Sequence, residues 1–117
     1  MATRKDFRTA WLLFLLGRGG SYGYELRREL GLRGFALDPA LLYRSLRDME
    51  SAGLIASRWV RSEEGPRRRV YDITTAGEAE LARIATSLRE LREAHDAFLA
   101  VYDPAPAGSS TGERRDG

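Results

Sequence analysis

Seven residues near the C-terminus constrain the fold more than any others: Leu81, Ile84, Leu88, Leu91, His95, Phe98 and Tyr102, spaced alternately by three and four. That spacing keeps one stripe on one side of an α-helix and asks for another helix to cover it. The stripe either packs on its own domain or pairs with a second copy. A first helix, Asp6 to Leu16, sharpens the choice. It carries Phe7, Trp11 and Phe14 on one side and Leu12, Leu15 and Leu16 on another, with little polar face. A helix apolar almost all round needs burial on two sides, and a chain of 117 residues has a modest core to offer. A homodimer is therefore expected.

Residue usage removes several classes of function. Cysteine is absent and histidine occurs once, at His95, which excludes disulfides and thiolate chemistry and leaves a His-based metal site or triad little to work with. No metal and no cofactor are expected. Glu63 and Glu64 are adjacent, so on a strand they point to opposite faces and cannot pair over one substrate. Gly17, Gly19, Gly20 and Gly23 are followed by no Gly-Lys-Ser/Thr and preceded by no strand signal, so they make neither a phosphate loop nor a dinucleotide fingerprint. An enzyme is not expected. The longest apolar run, Ala10 to Leu16, has seven residues, too short to span a bilayer. Arg18 follows it, where a signal peptide would carry small residues. The expectation is a soluble, cytoplasmic protein without a membrane partner.

Charge is uneven. Residues 1–74 hold 14 Lys or Arg against 9 Asp or Glu, whereas residues 75–102 hold 3 against 5. A basic front and an acidic back suggest one part that faces a polyanion and one that does not.

The order of elements gives that front a shape. After the first helix and a Gly17–Gly20 turn, Ser21 is a candidate N-cap for a short helix, Tyr22 to Leu30. Asp38-Pro39 is a strong helix start, and Gly53 sits where a third helix, ending near Ala52, needs its C-terminal cap. Leu42, Leu46 and Met49 form its inner stripe; Ala40, Arg44, Arg47, Asp48 and Ser51 lie outward. Ser57–Arg61 and Arg68–Ile73 then read as a hairpin around the turn residues Ser62 to Arg67. Thr75 with Glu78 fits a capping box for the last helix, which runs to about Tyr102. Beyond it, Pro, Gly, Ser and charged residues predict a disordered tail.

Three helices and a hairpin with a basic return arm make a winged helix-turn-helix. The expected fold is mainly α with a small β-hairpin: residues 1–74 the N-terminal helix and DNA-binding unit, 75–102 a dimerisation helix, 103–117 a tail. A helix can enter the major groove only if its outward side chains are short or form hydrogen bonds, as Ala40, Arg44, Arg47, Asp48 and Ser51 allow. Arg67, Arg68 and Arg69 beside Gly65-Pro66 suit a phosphate track or the minor groove. Because strand residues alternate, Arg67 and Arg69 share one side and Arg68 takes the other. Tyr43, one step from the inner stripe, can serve the core or the DNA. The same winged helix could instead act as an adaptor for a protein or polymer surface.

These residues resemble the PadR-type transcriptional regulators. The similarity runs through Tyr22-Gly23-Tyr24-Glu25-Leu26, Asp38-Pro39, Leu42-Tyr43, Leu46, Met49-Glu50, Gly53-Leu54, Gly65-Pro66-Arg67-Arg68, Tyr71, Ile73-Thr74 and Ala76-Gly77. It covers roughly Phe7 to Tyr102, and the single last helix resembles the family's short subfamily. Phe35, Leu42 to Arg47 and Phe98 to Tyr102 are also similar to its polyhydroxyalkanoate-responsive repressors. The resemblance implies DNA contacts by Ala40, Leu41, Tyr43, Arg44, Arg47, Arg67 and Arg68, on double-stranded DNA carrying a pseudo-palindrome. Leu41 stands where many members have Ser or Thr, and Arg44 where many have Pro. It further implies a homodimeric repressor, paired through Leu81, Ile84, Leu88, Leu91, His95, Phe98 and Tyr102, and released by a small hydrophobic or other effector. An effector gap between subunits would be lined by Phe7, Trp11, Phe14, Leu91, His95 and Phe98. The same aromatics could equally fill a dimer core.

Overall fold

Thr3 opens helix α1 (Arg4–Gly17) in a computed structural model that describes residues 2–63 and 65–103. Its hydroxyl accepts the Asp6 amide while the Asp6 carboxylate accepts the Thr3 amide, each at 3.0 Å. This reciprocal cap starts the helix two residues ahead of the expected Asp6. The Thr3 backbone amide, aided by the Thr3 hydroxyl, holds the Asp6 carboxyl below the usual carboxylate range. The predicted tail beyond Asp103 and Glu64 of the hairpin turn lie outside the described residues.

Ser21 is not an N-cap. With Tyr22 it forms a short strand, β1 (Ser21–Tyr22), whose partners on β3 (Gly65–Ile73) are Tyr71 and Val70. Tyr22 itself caps helix α2 (Gly23–Leu32), and its amide donates to the Glu25 carboxylate at 3.1 Å. The helix stops where Gly34 takes φ +78°, a left-handed turn that favours glycine. Helix α3 (Pro39–Ser51) starts as expected: the Asp38 carboxylate accepts the Leu41 amide at 2.9 Å.

Strand β2 (Ile55–Ser62) pairs antiparallel with β3, giving the order β1-β3-β2. The expected hairpin is thus a three-stranded sheet, and its third strand is too short to announce itself by alternation. Leu12, Leu13, Leu16, Leu26, Leu30, Leu42 and Leu46 are buried beneath the sheet residues Ile55 and Tyr71. The one buried polar side chain in the described core, Ser45 of α3, accepts a hydrogen bond from Arg8 Nε at 3.1 Å, tying α1 to α3.

Helix α4 (Thr75–Tyr102) begins one residue away from the expected cap. Thr74 is held extended by the hydrogen bond its N–H donates to the Leu54 carbonyl, and its hydroxyl accepts the Gly77 amide at 3.0 Å. With Thr74 as N-cap the third helical position is Gly77, which has no side chain to return the bond, so no capping box forms. Near its start, α4 packs on α1: Ile84 is 1% exposed and Leu81 is half-buried. From Arg92 to Asp103 every residue is exposed. At 28 residues the helix is about 42 Å long, and its second half leaves its own domain.

Candidate nucleic-acid interface

The outward side of α3 is open. Ala40, Arg44, Arg47, Asp48 and Ser51 are exposed, opposite buried Leu42, Leu46 and Met49. Neither Arg44 nor Arg47 has a carboxylate partner among the described residues. An unpaired guanidinium on such a face keeps its donors for a base edge or a phosphate. Leu41 is turned the other way, half-buried against the core.

Tyr43 divides its ring between the two roles the sequence leaves open. It is 43% exposed, yet it lies over Gly23 so closely that a Cβ there would sit 2.6 Å from the ring. With Tyr22, Tyr24, Arg68, Arg69 and Tyr71 it lines a recess of about 320 Å³. Tyr22 and Tyr24 stack at 5.7 Å, and the Arg68 guanidinium lies 5.4 and 5.3 Å from their ring centres. Arg68 Nη1 donates to the Tyr24 hydroxyl at 2.8 Å. The arrangement is a fixed cation beside phenolic hydroxyls, suited to an oxyanion. Burial pushes the Tyr71 hydroxyl above its ordinary value, so it stays neutral near pH 7.

Strand alternation sorts the wing arginines. Ile55, Ser57 and Trp59 pair with Ile73, Tyr71 and Arg69, so these residues and Arg67 share the face that packs on α3. A polar cluster fixes that face to the last turn of α3. Glu50 accepts the Ser57 hydroxyl at 2.7 Å and lies 3.5 Å from Arg69, whose Nε donates to Ser57 at 2.8 Å. Farther out, the guanidiniums of Arg67 and Arg69 lie 5.6 and 5.4 Å from the centre of the Trp59 indole. Arg68 takes the opposite face, with Tyr22 and Tyr24. Sequence reasoning did not single out Tyr22, Tyr24, Glu50 or Trp59 as members of this surface. Pairing the two predicted strands evenly across their turn would have set Trp59 opposite Val70; the observed register sets it opposite Arg69, past an irregularity between Val60 and Ser62.

The other two candidate groups are only partly assembled within one chain. Phe7, Trp11 and Phe14 meet around an entirely apolar recess of about 280 Å³, completed by Ala10 and Leu81. Leu91, His95 and Phe98 do not line it. Along the α4 stripe, Ile84 is covered by its own chain and Leu88 and Leu91 are half-buried. His95, Phe98 and Tyr102 are exposed.

Known proteins share this architecture. The solved PadR family transcription regulator of Clostridium difficile R20291 superposes with TM-score 0.73 at 26% identity, over 80% of this chain and 98% of that one. A PadR-like transcriptional regulator of Bacillus cereus gives 0.72 at 27% identity, over 81% and 93%. In sequence, 70 residues are 39% identical to transcriptional regulator Rv3488 of Mycobacterium tuberculosis, spanning 60% of this chain and 64% of that relative, just under two thirds of its length. Residues 12–83 match the transcriptional regulator PadR-like family, whose members are regulators and not enzymes, in keeping with the absence of catalytic motifs. This chain, a winged helix with a long last helix, belongs to the PadR-like family of transcriptional regulators.

Proposed function

We propose that the protein binds a pseudo-palindromic operator as a homodimer and represses transcription, with a small hydrophobic molecule or another effector releasing it. The observation that carries the DNA-binding part is the outward face of α3, where Arg44 and Arg47 are exposed and, among the described residues, have no carboxylate partner, with Arg67 and Arg69 on the sheet face that packs on α3. In a dimer, two such helices would enter successive major grooves about 34–36 Å apart. The Tyr24–Arg68 recess would seat a backbone phosphate.

Pairing is supported by what one chain leaves uncovered. Phe98, Leu99, Val101 and Tyr102 are 47–81% exposed, and on α1 Phe7 and Phe14 are nearly half exposed around their recess. An effector between subunits would use the same aromatics. That part of the proposal rests on the apolar recess and on the family.

Base readout and charge neutralisation give separable outcomes. Arg44→Ala or Arg47→Ala should cost about 1–3 kcal/mol on the preferred sequence and relax selectivity at one base pair. Competition between operator and single-base variants measures this, and undiminished selectivity in both variants would remove α3 as the reading element. Arg67, whose only interaction among the described residues is with the Trp59 ring, should act differently. Arg67→Ala is expected to weaken all duplexes alike and to lower the slope of log affinity against log salt by about 1. A salt titration of two unrelated duplexes checks it, and an unchanged slope would take Arg67 off the phosphates.

A further inference from the structure

The hydrophobic core does not account for Trp59. Its indole is 55% exposed on the wing, outside the hydrophobic core, and burying large apolar surface is the usual use of a tryptophan. Its surroundings are specific all the same. It lies on the face shared with α3, and both guanidiniums on that face are drawn to its ring.

The position along the strand is informative. Ser57 is pinned to Glu50 in the last turn of α3. Trp59 is two residues farther out, about 7 Å at strand rise, and the hairpin turn is several residues beyond it. If α3 occupies a major groove and the wing tip reaches the neighbouring minor groove, one sugar–phosphate strand must pass between them. Trp59 would stand at that crossing. Arg69 is already engaged with Glu50 and Ser57, which fixes the indole's neighbour in place. Arg67 has no carboxylate partner among the described residues and keeps its charge for the backbone. A half-exposed apolar ring with two guanidiniums 5.6 and 5.4 Å from its centre matches a deoxyribose with its neighbouring phosphates.

We infer that Trp59 is a DNA-contacting residue that packs on the sugar–phosphate ridge between the two grooves, contributing affinity without sequence preference and without neutralising a phosphate. This rests on the DNA-binding reading above. It separates Trp59 from Arg67: loss of the indole should lower affinity while leaving the salt slope intact.

The chain has two tryptophans, Trp11 and Trp59, so protein labelled with 5-fluorotryptophan gives two fluorine signals. Loss of one in Trp59→Phe assigns them. The labelled protein is titrated with a mixed-sequence duplex at low salt, and binding is followed independently by anisotropy of the DNA. At saturation the Trp59 fluorine should lose its shift between H2O and D2O, the mark of water at the ring. Trp59→Ala should bind roughly ten-fold more weakly, the order that covering half an indole allows, with the parental salt slope. Trp59→Phe should recover part of the loss. A Trp59 signal still sensitive to D2O in the bound state would overturn the inference, as would a Trp59→Ala salt slope reduced like that of Arg67→Ala, which would make the ring a mere brace for the arginines. No anisotropy change at any protein concentration would instead defeat the DNA-binding reading itself.

Discussion

Phe98→Asp combined with Tyr102→Asp is expected to turn a dimer into a folded monomer and to weaken operator binding by orders of magnitude. The two rings stack on each other at 5.7 Å near the end of α4, exposed by 63% and 71%, so aspartates there remove only that mutual stacking and no contact with the core. In a dimer they would be covered. A buried aromatic contributes about 1.5–3 kcal/mol, so one from each protomer already amounts to about 10²–10⁴ in the dissociation constant. The monomer would keep the contacts of one half-site only, and the effective concentration of the second half is lost. Sedimentation analysis with circular dichroism checks this. A double variant that stays dimeric would move the interface away from the end of α4.

The second large effect is one of stability. Gly77→Ala places a methyl group against the main-chain carbonyl oxygen of Leu54 and 2.8 Å from Ile73 Cγ1. The oxygen cannot rotate away, since it also holds the Thr74 amide at 3.1 Å. Either the first turn of α4 lifts or the segment after α3 shifts, and both loosen the junction between wing and helix. A cost of about 3 kcal/mol follows, well above the gain of about 1 kcal/mol from replacing glycine by alanine in a helix. Thermal unfolding should show a midpoint lower by on the order of 10 °C. An unchanged midpoint would contradict the tight junction.

Much of this architecture could be read from local chemistry. Asp38-Pro39, Gly53 and the stripe Leu42–Leu46–Met49 set the bounds and inner face of α3, because a cap, a left-handed turn and a period of 3.6 are encoded by residues close in sequence. What escaped the sequence depends on distant partners. Strand β1 exists only because Val70 and Tyr71 lie alongside Ser21 and Tyr22. The cap of α4 moved to Thr74 because Leu54 and Gly53, some twenty residues away, hold its amide and hydroxyl. The α4 stripe shows the same limit: its period was legible, but the point where cover by its own chain ends, between Ile84 and His95, depends on how α4 packs against α1. On the candidate interface, alternation separated Arg68 from Arg67 and Arg69. It could not reveal that Glu50, Ser57 and Trp59 build the surface on which two of them rest.

The central claim is that this winged helix reads a sequence. Selection of bound fragments from genomic DNA by the purified full chain, repeated with Arg44→Ala, tests it most directly. The account predicts recovery of a pseudo-palindromic sequence with half-sites one helical turn, or a multiple of it, apart. That preference should be blurred or lost in the variant, and affinity for the recovered sequence should fall steeply with salt. Fragments without a common sequence, bound equally by parent and variant, would contradict it and favour a winged helix that serves as an adaptor for another surface.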